Sequence, residues 1–215
     1  FLADALLERL RATCHVSSDR ARTALTGISM GGYGALKTAF AFPDRFGVVA
    51  AMQPMLEPGL RAGDVGARNT LHHVAGGPEN LIGAGRDAAV FAANNPANRA
   101  IANRDAIERS GLAIYMDAGD RDFTNAHDGA EFLHRVLWNL DLSHEYRLIR
   151  GGDHGGATLV PRMHDALAWT SAAMTASAAD GPDPMAAARA QLAPARAQAL
   201  LVDPTTRRRF GAITV

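Results

Sequence analysis

Residues 23–40 read "TALTGISMGGYGALKTAF", and their single serine, Ser29, lies between Gly27 and Gly31 where an apolar run gives way to helical periodicity. A glycine-punctuated turn of this kind can cradle a phosphate, present a nucleophile, or simply reverse the chain. A phosphate loop of the Walker type needs Lys and then Ser or Thr directly after its second glycine; counting from Gly27 reaches Gly32, and Tyr33 follows. The dinucleotide fingerprint fails as well, since Lys37 stands where its third glycine belongs. Gly27-Ile28-Ser29-Met30-Gly31 does fit the Gly-x-Ser-x-Gly elbow, a sharp strand-to-helix turn that lifts the serine hydroxyl above a sheet. A side chain at Gly27 or Gly31 is expected to strike neighbouring backbone there. The turn also sets Ser29 at a helix N-terminus, where orphan N–H groups favour developing negative charge. The backbone N–H of Met30 is the natural oxyanion donor.

A serine hydroxyl is a poor nucleophile until a base takes its proton, and the base needs a carboxylate to fix its tautomer. Two later loops offer these groups in the order serine, acid, histidine. Asp120 and Asp122 both follow the run "LAIYMDAG", and His154 follows "HEYRLI" inside "GGDHGG", among four glycines. Asp153 beside it reads as a loop-solvating or turn-capping residue, and Tyr33 as packing behind the elbow. His127, His134 and His164 fall on predicted helices. A metal site requires three or four convergent ligands, so these histidines are expected at the solvent or the core edge, with no metal. His72 and His73 lie in an irregular region, as candidates for a pocket lining. Cys14, near a helix end, reads as a small buried hydrophobe.

The elements that must carry these residues alternate. Leu2, Leu6, Leu7 and Leu10 recur at helical spacing, predicting an opening helix. Thr23 to Thr26 reads as a buried strand and Gly32 to Ala41 as a helix. "GVVAAM", Gly47 to Met52, is a continuous apolar run, as in a strand covered on both faces. Leu112 to Gly119 and His144 to Arg150 read as strands, Asp128 to Leu140 and Leu159 to Met174 as helices. Strands alternating with helices imply an α/β fold with a parallel sheet and helices on both faces. Residues 53–109, broken by Gly, Pro and Asn, read as loops and short helices over the site. The tail, 176–215, is rich in Ala, Pro and Arg and predicts one helix around Met185 to Leu201 and a basic end.

Bulk composition narrows the partners. The 215 residues suffice for one domain with a real core. Lys plus Arg and Asp plus Glu each number 22, so no net field draws the chain to nucleic acid or an anionic membrane. With Cys14 alone, an intrachain disulfide and a thiolate cluster are both excluded, which leaves the compartment open. No apolar run is long enough to span a bilayer. The sequence starts at Phe1, without an initiator methionine, and reads as processed or as part of something longer.

The segments "GISMGGYGAL", "YMDAGDRDF" and "HEYRLIRGGDHGG" resemble the esterase branch of the α/β hydrolases that includes esterase D (S-formylglutathione hydrolase), antigen 85 and feruloyl esterases. The resemblance runs from Leu25 to about Met174. It implies an α/β-hydrolase fold over residues 1–175, acyl-enzyme chemistry on a small-molecule ester or thioester, and no cofactor. Carried over by position, Ser29 is similar to the nucleophile, Asp122 to the orienting acid and His154 to the base; the family's acid lies a few residues past the strand end, which sets Asp122 ahead of Asp120. The family also has strands before the nucleophile strand, one of which leads into the second oxyanion donor. Only the C-terminal part of such a fold is expected here, with the nucleophile strand unpaired on one side. Two expectations follow: a serine esterase or thioesterase completed by a companion chain or a second copy, or an inactive hydrolase-like remnant that binds a partner or oligomerises through that edge. Acyl transfer is a variant of the first.

Overall fold

The computed structural model describes residues 1–69 and 88–175, and 187, 188, 190 and 191 in the tail. Among these residues four parallel strands form one sheet in the order β1-β2-β3-β4: Ala24–Ile28, Val48–Met52, Ala113–Gly119 and Glu145–Ile149. The helices are α1 (Leu7–Thr13), α2 (Met30–Ala41), α3 (Ala88–Asn94), α4 (Pro96–Ala102), α5 (Arg104–Ser110), α6 (Ala126–Asn139) and α7 (Leu159–Thr175).

Strand alternation divides the core in two. Val49 and Ala51 of β2, with Ile114 and Met116 of β3, face a large cluster that includes Leu36 and Phe40 of α2, Ala100 of α4, Ile107 of α5 and Leu133 and Leu137 of α6. Ala50, Met52 and Tyr115 point the other way, against Ala166, Met163 and Trp169 of α7. Both faces are therefore covered, and every residue of β2 is buried. This is why "VVAAM" carries no polar alternation. The outer strands β1 and β4 are only half-buried, and β1 pairs with β2 alone among the described residues. The fold is that of a partial α/β hydrolase.

The opening segment departs from the expected face. Leu2–Leu6 is a π-helical turn, closed by Leu6 N–H donating to Phe1 C=O at 3.0 Å, and it runs into α1. The wider winding shifts the phase, so Ala3 and Leu7 are buried while Leu2 and Leu10 stay exposed. Cys14 is exposed rather than buried: α1 ends at Thr13, and Cys14 leaves it with extended backbone. Between 53 and 109 the described residues form two short 3-10 turns and helices α3 to α5. Asn95 caps α4 by accepting from Ala97 and Asn98 N–H, with Pro96 at the first helical position. His72 and His73, and most of the predicted tail helix, lie outside the described residues.

Candidate active site

Strand β1 ends at Ile28 and α2 begins at Met30, so Ser29 alone makes the turn. Its backbone sits at φ 57°, ψ −120°, a conformation that costs a residue bearing a Cβ about 1–3 kcal/mol. Backbone bonds to the end of β2, the segment after it and the first turn of α2 hold it there. Ser29 N–H donates to Met52 C=O at 3.0 Å, and Ser29 C=O accepts from Tyr33 at 3.0 Å and Met55 at 3.2 Å. A Cβ on Gly27 would lie 2.2 Å from Gly31 C and O, and one on Gly32 would be 3.1 Å from Pro54. Gly31 itself has open space at its Cβ position. The steric demand of the elbow thus falls on Gly27 and Gly32, correcting the expectation for Gly31. Gly27→Ala is expected to destabilise the fold by roughly 3 kcal/mol or more, with Gly31→Ala nearly neutral; paired thermal melts measure the difference.

At the tip of this turn Ser29 Oγ lies 2.9 Å from His154 Nε2, and His154 Nδ1 lies 2.8 Å from Asp122 Oδ2. An ionised carboxylate only accepts, so Nδ1 carries a proton. In the neutral imidazole that leaves Nε2 bare to accept from the serine hydroxyl. The Asp122 side chain is fully buried and His154 keeps 18% exposure. Burial alone would push the Asp122 carboxyl up; hydrogen bonds from His154 and from Thr124 outweigh it and hold the group below its ordinary value. Thr124 donates to Asp122 Oδ1 twice, from its hydroxyl at 2.6 Å and its backbone N–H at 2.8 Å. The Thr124 oxygen also lies 3.2 Å from His154 Nδ1, as a second acceptor for that proton. Thr124 belongs to the site although its sequence position carries no motif.

The two aspartates after β3 do different work. Asp122 folds back under the turn, its N–H donating to Gly119 C=O at 3.3 Å. Asp120 points to the next loop, where Oδ1 accepts from Gly151 N–H at 2.6 Å and Oδ2 pairs with Arg150 at 3.3 Å. Asp153 is a loop brace: its Oδ1 accepts from both Phe123 N–H at 3.0 Å and His154 N–H at 2.7 Å. Backbone bonds from Asp120 N–H to Ile149 C=O and from Arg121 N–H to Gly152 C=O complete this zipper. A Cβ on Gly119 would lie 2.2 Å from Gly152 O. The loops that follow β3 and β4 can approach this closely only because glycine occupies that strand end.

The remaining sequence candidates fall elsewhere. Tyr33 is buried behind the elbow and donates to Asn94 C=O at 3.0 Å. His127 contacts Arg68 and Asp128, His134 pairs with His144 at 2.8 Å, and His164 is exposed. Among the described residues no three His, Cys, Asp or Glu side chains converge as for a metal. Phe123 is 69% exposed, and its ring meets the His154 imidazole edge to face at 5.7 Å. The amide of Met30 is the first of α2, one of the N–H groups that helix geometry leaves without an intrahelical acceptor.

The sequence matches the family described as "Putative esterase" over residues 1–178. The chain belongs to that family. No curated protein matches it, but solved structures do. A ferulic acid esterase aligns with TM-score 0.59 and 21% identity, covering 81% of this chain and 60% of its own. The S-formylglutathione hydrolase of Agrobacterium tumefaciens aligns with TM-score 0.59 and 20% identity, covering 80% and 56%. The fluorophosphonate-binding serine hydrolase FphF of Staphylococcus aureus also gives 0.59 and 20%, covering 77% and 60%. At these identities the likeness is one of fold. The chain spans about three fifths of the length of these structural neighbours.

Proposed function

We propose that the chain carries the catalytic centre of a serine hydrolase, acting on small-molecule carboxylic esters or thioesters through an acyl-enzyme. The observation that carries this reading is the unbroken hydrogen-bond line from Ser29 Oγ through His154 to Asp122, set on a strained elbow. In this reading His154 Nε2 takes the Ser29 proton as Oγ attacks the carbonyl carbon. Asp122 stabilises the imidazolium that forms, and the Met30 N–H at the head of α2 receives the developing oxyanion. Collapse of the tetrahedral species breaks the bond to the alkoxide or thiolate, which takes the proton from His154. Water, deprotonated by the same nitrogen, then releases the acid and restores Ser29.

The leaving group departs on the His154 side, where the exposed Phe123 ring offers an apolar wall. Two structural neighbours are a ferulic acid esterase and an S-formylglutathione hydrolase, which supports an acyl carbonyl as the target here. The outer edge of β1, unpaired among the described residues, is where a companion chain or a second copy would extend the sheet.

The test is hydrolysis of p-nitrophenyl acetate by the full native protein, with acid-quenched samples weighed intact during turnover. The expected result is release of p-nitrophenol together with a transient acetyl adduct on this chain. Turnover with neither oxygen esters nor an acetyl thioester would overturn the reading.

A further inference from the structure

The proposed base sits on a loop, residues 150–156, containing four glycines. Glycine gives such a loop the widest backbone freedom, yet the imidazole must satisfy two partners at once. What fixes it is found beneath the loop, in two buried side chains that bind the carbonyls on either side of it.

Arg162, on the first turns of α7, is 3% exposed, and its Nη1 donates to Asp153 C=O at 3.0 Å. Its other two nitrogens, Nε at 3.0 Å and Nη2, both donate to Asp117 Oδ1. Asp117 is fully buried in β3, and its Oδ2 accepts from Tyr115 at 3.2 Å. The second carbonyl, that of His154 itself, accepts from Gln53 Nε2. Gln53 is fully buried with φ 36°, and its own N–H donates to Asp117 C=O at 2.7 Å. Its Oε1 is buried without a partner, so among its side-chain atoms the amide donor is the one put to use. Both contacts thus return to Asp117, one through its carboxylate and one through its backbone.

A buried ion pair is weak evidence of added stability. Burying an ion pair costs desolvation of both charges, and well-packed apolar residues in the same volume are often as stable or more so. A guanidinium supplies a rigid planar fork that can hold a carbonyl and a carboxylate in fixed relative orientation. Pairing with Asp117 also cancels a charge that, left alone, would oppose formation of the imidazolium.

Resting on the hydrolase reading above, we propose that Arg162 and Gln53, anchored on Asp117, are positioning residues: they clamp the Asp153 and His154 carbonyls and so aim the His154 ring at Ser29 and Asp122. They touch no substrate and act through His154. Releasing the clamp lets the ring drift, and a misplacement of about 1 Å costs on the order of 100-fold in rate.

The experiment compares Arg162→Met, Arg162→Lys, Gln53→Leu and the double replacement Asp117→Leu/Arg162→Met, each checked for a cooperative melt. The double variant keeps the buried volume apolar and so guards against an unpaired charge unfolding the protein. Expected results are a fall in kcat of about 100-fold for Arg162→Met with KM within about twofold, partial recovery in Arg162→Lys, and a kcat loss in Gln53→Leu and the double variant. In a His154→Ala background Arg162→Met is expected to add nothing, because groups acting as one unit are not additive. The downfield Nδ1–H proton resonance of His154, absent in His154→Ala, should weaken or shift in each clamp variant. Wild-type kcat and an unmoved resonance in folded variants would overturn the proposal, as would an equal loss from Arg162→Met with or without His154. The resonance reads the clamp independently of turnover. If the wild type hydrolyses no ester while the clamp variants still displace that resonance, the hydrolase reading fails and the clamp stands.

Discussion

Replacing Ser29 with Ala is expected to reduce ester turnover to background, a loss of roughly 10⁶-fold in kcat by analogy with other triad enzymes, or about 8 kcal/mol of transition-state stabilisation. The reason is local. Among the described residues the hydroxyl is the hydrogen-bond partner of His154 Nε2, at 2.9 Å, and alanine removes the proton that this nitrogen would take. The fold should tolerate the change. The strained backbone at residue 29 is held by bonds through its N–H and C=O to Met52, Tyr33 and Met55, none of which uses the side chain. The prediction is therefore a melting temperature within a few degrees of wild type, with loss of p-nitrophenol release. Retained turnover in Ser29→Ala would place the chemistry elsewhere.

The second large effect separates the two aspartates. Asp122→Asn should lower kcat by about 10⁴-fold, the size seen when a triad carboxylate becomes an amide. An amide at 122 can present an N–H donor toward Nδ1, which favours the tautomer with the proton on Nε2 and removes the acceptor that Ser29 needs. It also withdraws the negative charge that stabilises the imidazolium. Asp120→Asn should cost activity only modestly, within about tenfold, because Asp120 meets Gly151 N–H and Arg150 rather than the imidazole. Its contribution is loop geometry, and a surface pair with Arg150 is worth about 1 kcal/mol or less. Steady-state kinetics of the two variants side by side is the check. Equal losses would mean that the acid is not assigned by the 2.8 Å contact.

Much of this arrangement was legible in the sequence, because the signals are local. Gly27 and the apolar runs before and after it mark a strand-to-helix turn, and "VVAAM" marks a strand with no solvent face. The order serine, acid, histidine follows from which loops close the strands. Asp120 and Asp122 remained two candidates, since both stand past the end of β3. Their difference lies in the turn that bonds Asp122 N–H to Gly119 C=O and in the zipper between loops, neither of which has a residue-type signature. Arg162, Gln53 and Thr124 were silent for a related reason. An arginine early in a helix reads as solvated, and its partners Asp117 and Asp153 are 45 and 9 residues away. Gln53 finds His154 across 101 residues. Cys14 was misread because a helix end can turn a small residue toward either core or solvent, and here the chain leaves α1 extended.

The most direct measurement of the central claim is intact-mass analysis of the full native protein before and after a fluorophosphonate probe, followed by peptide mapping. The structural neighbour FphF is a fluorophosphonate-binding serine hydrolase, and such a reagent reacts fastest with a serine whose base is in place. The account predicts one adduct per chain, on Ser29, lost in Ser29→Ala and strongly slowed in His154→Ala. No adduct, or an adduct mapped to another residue, would contradict it.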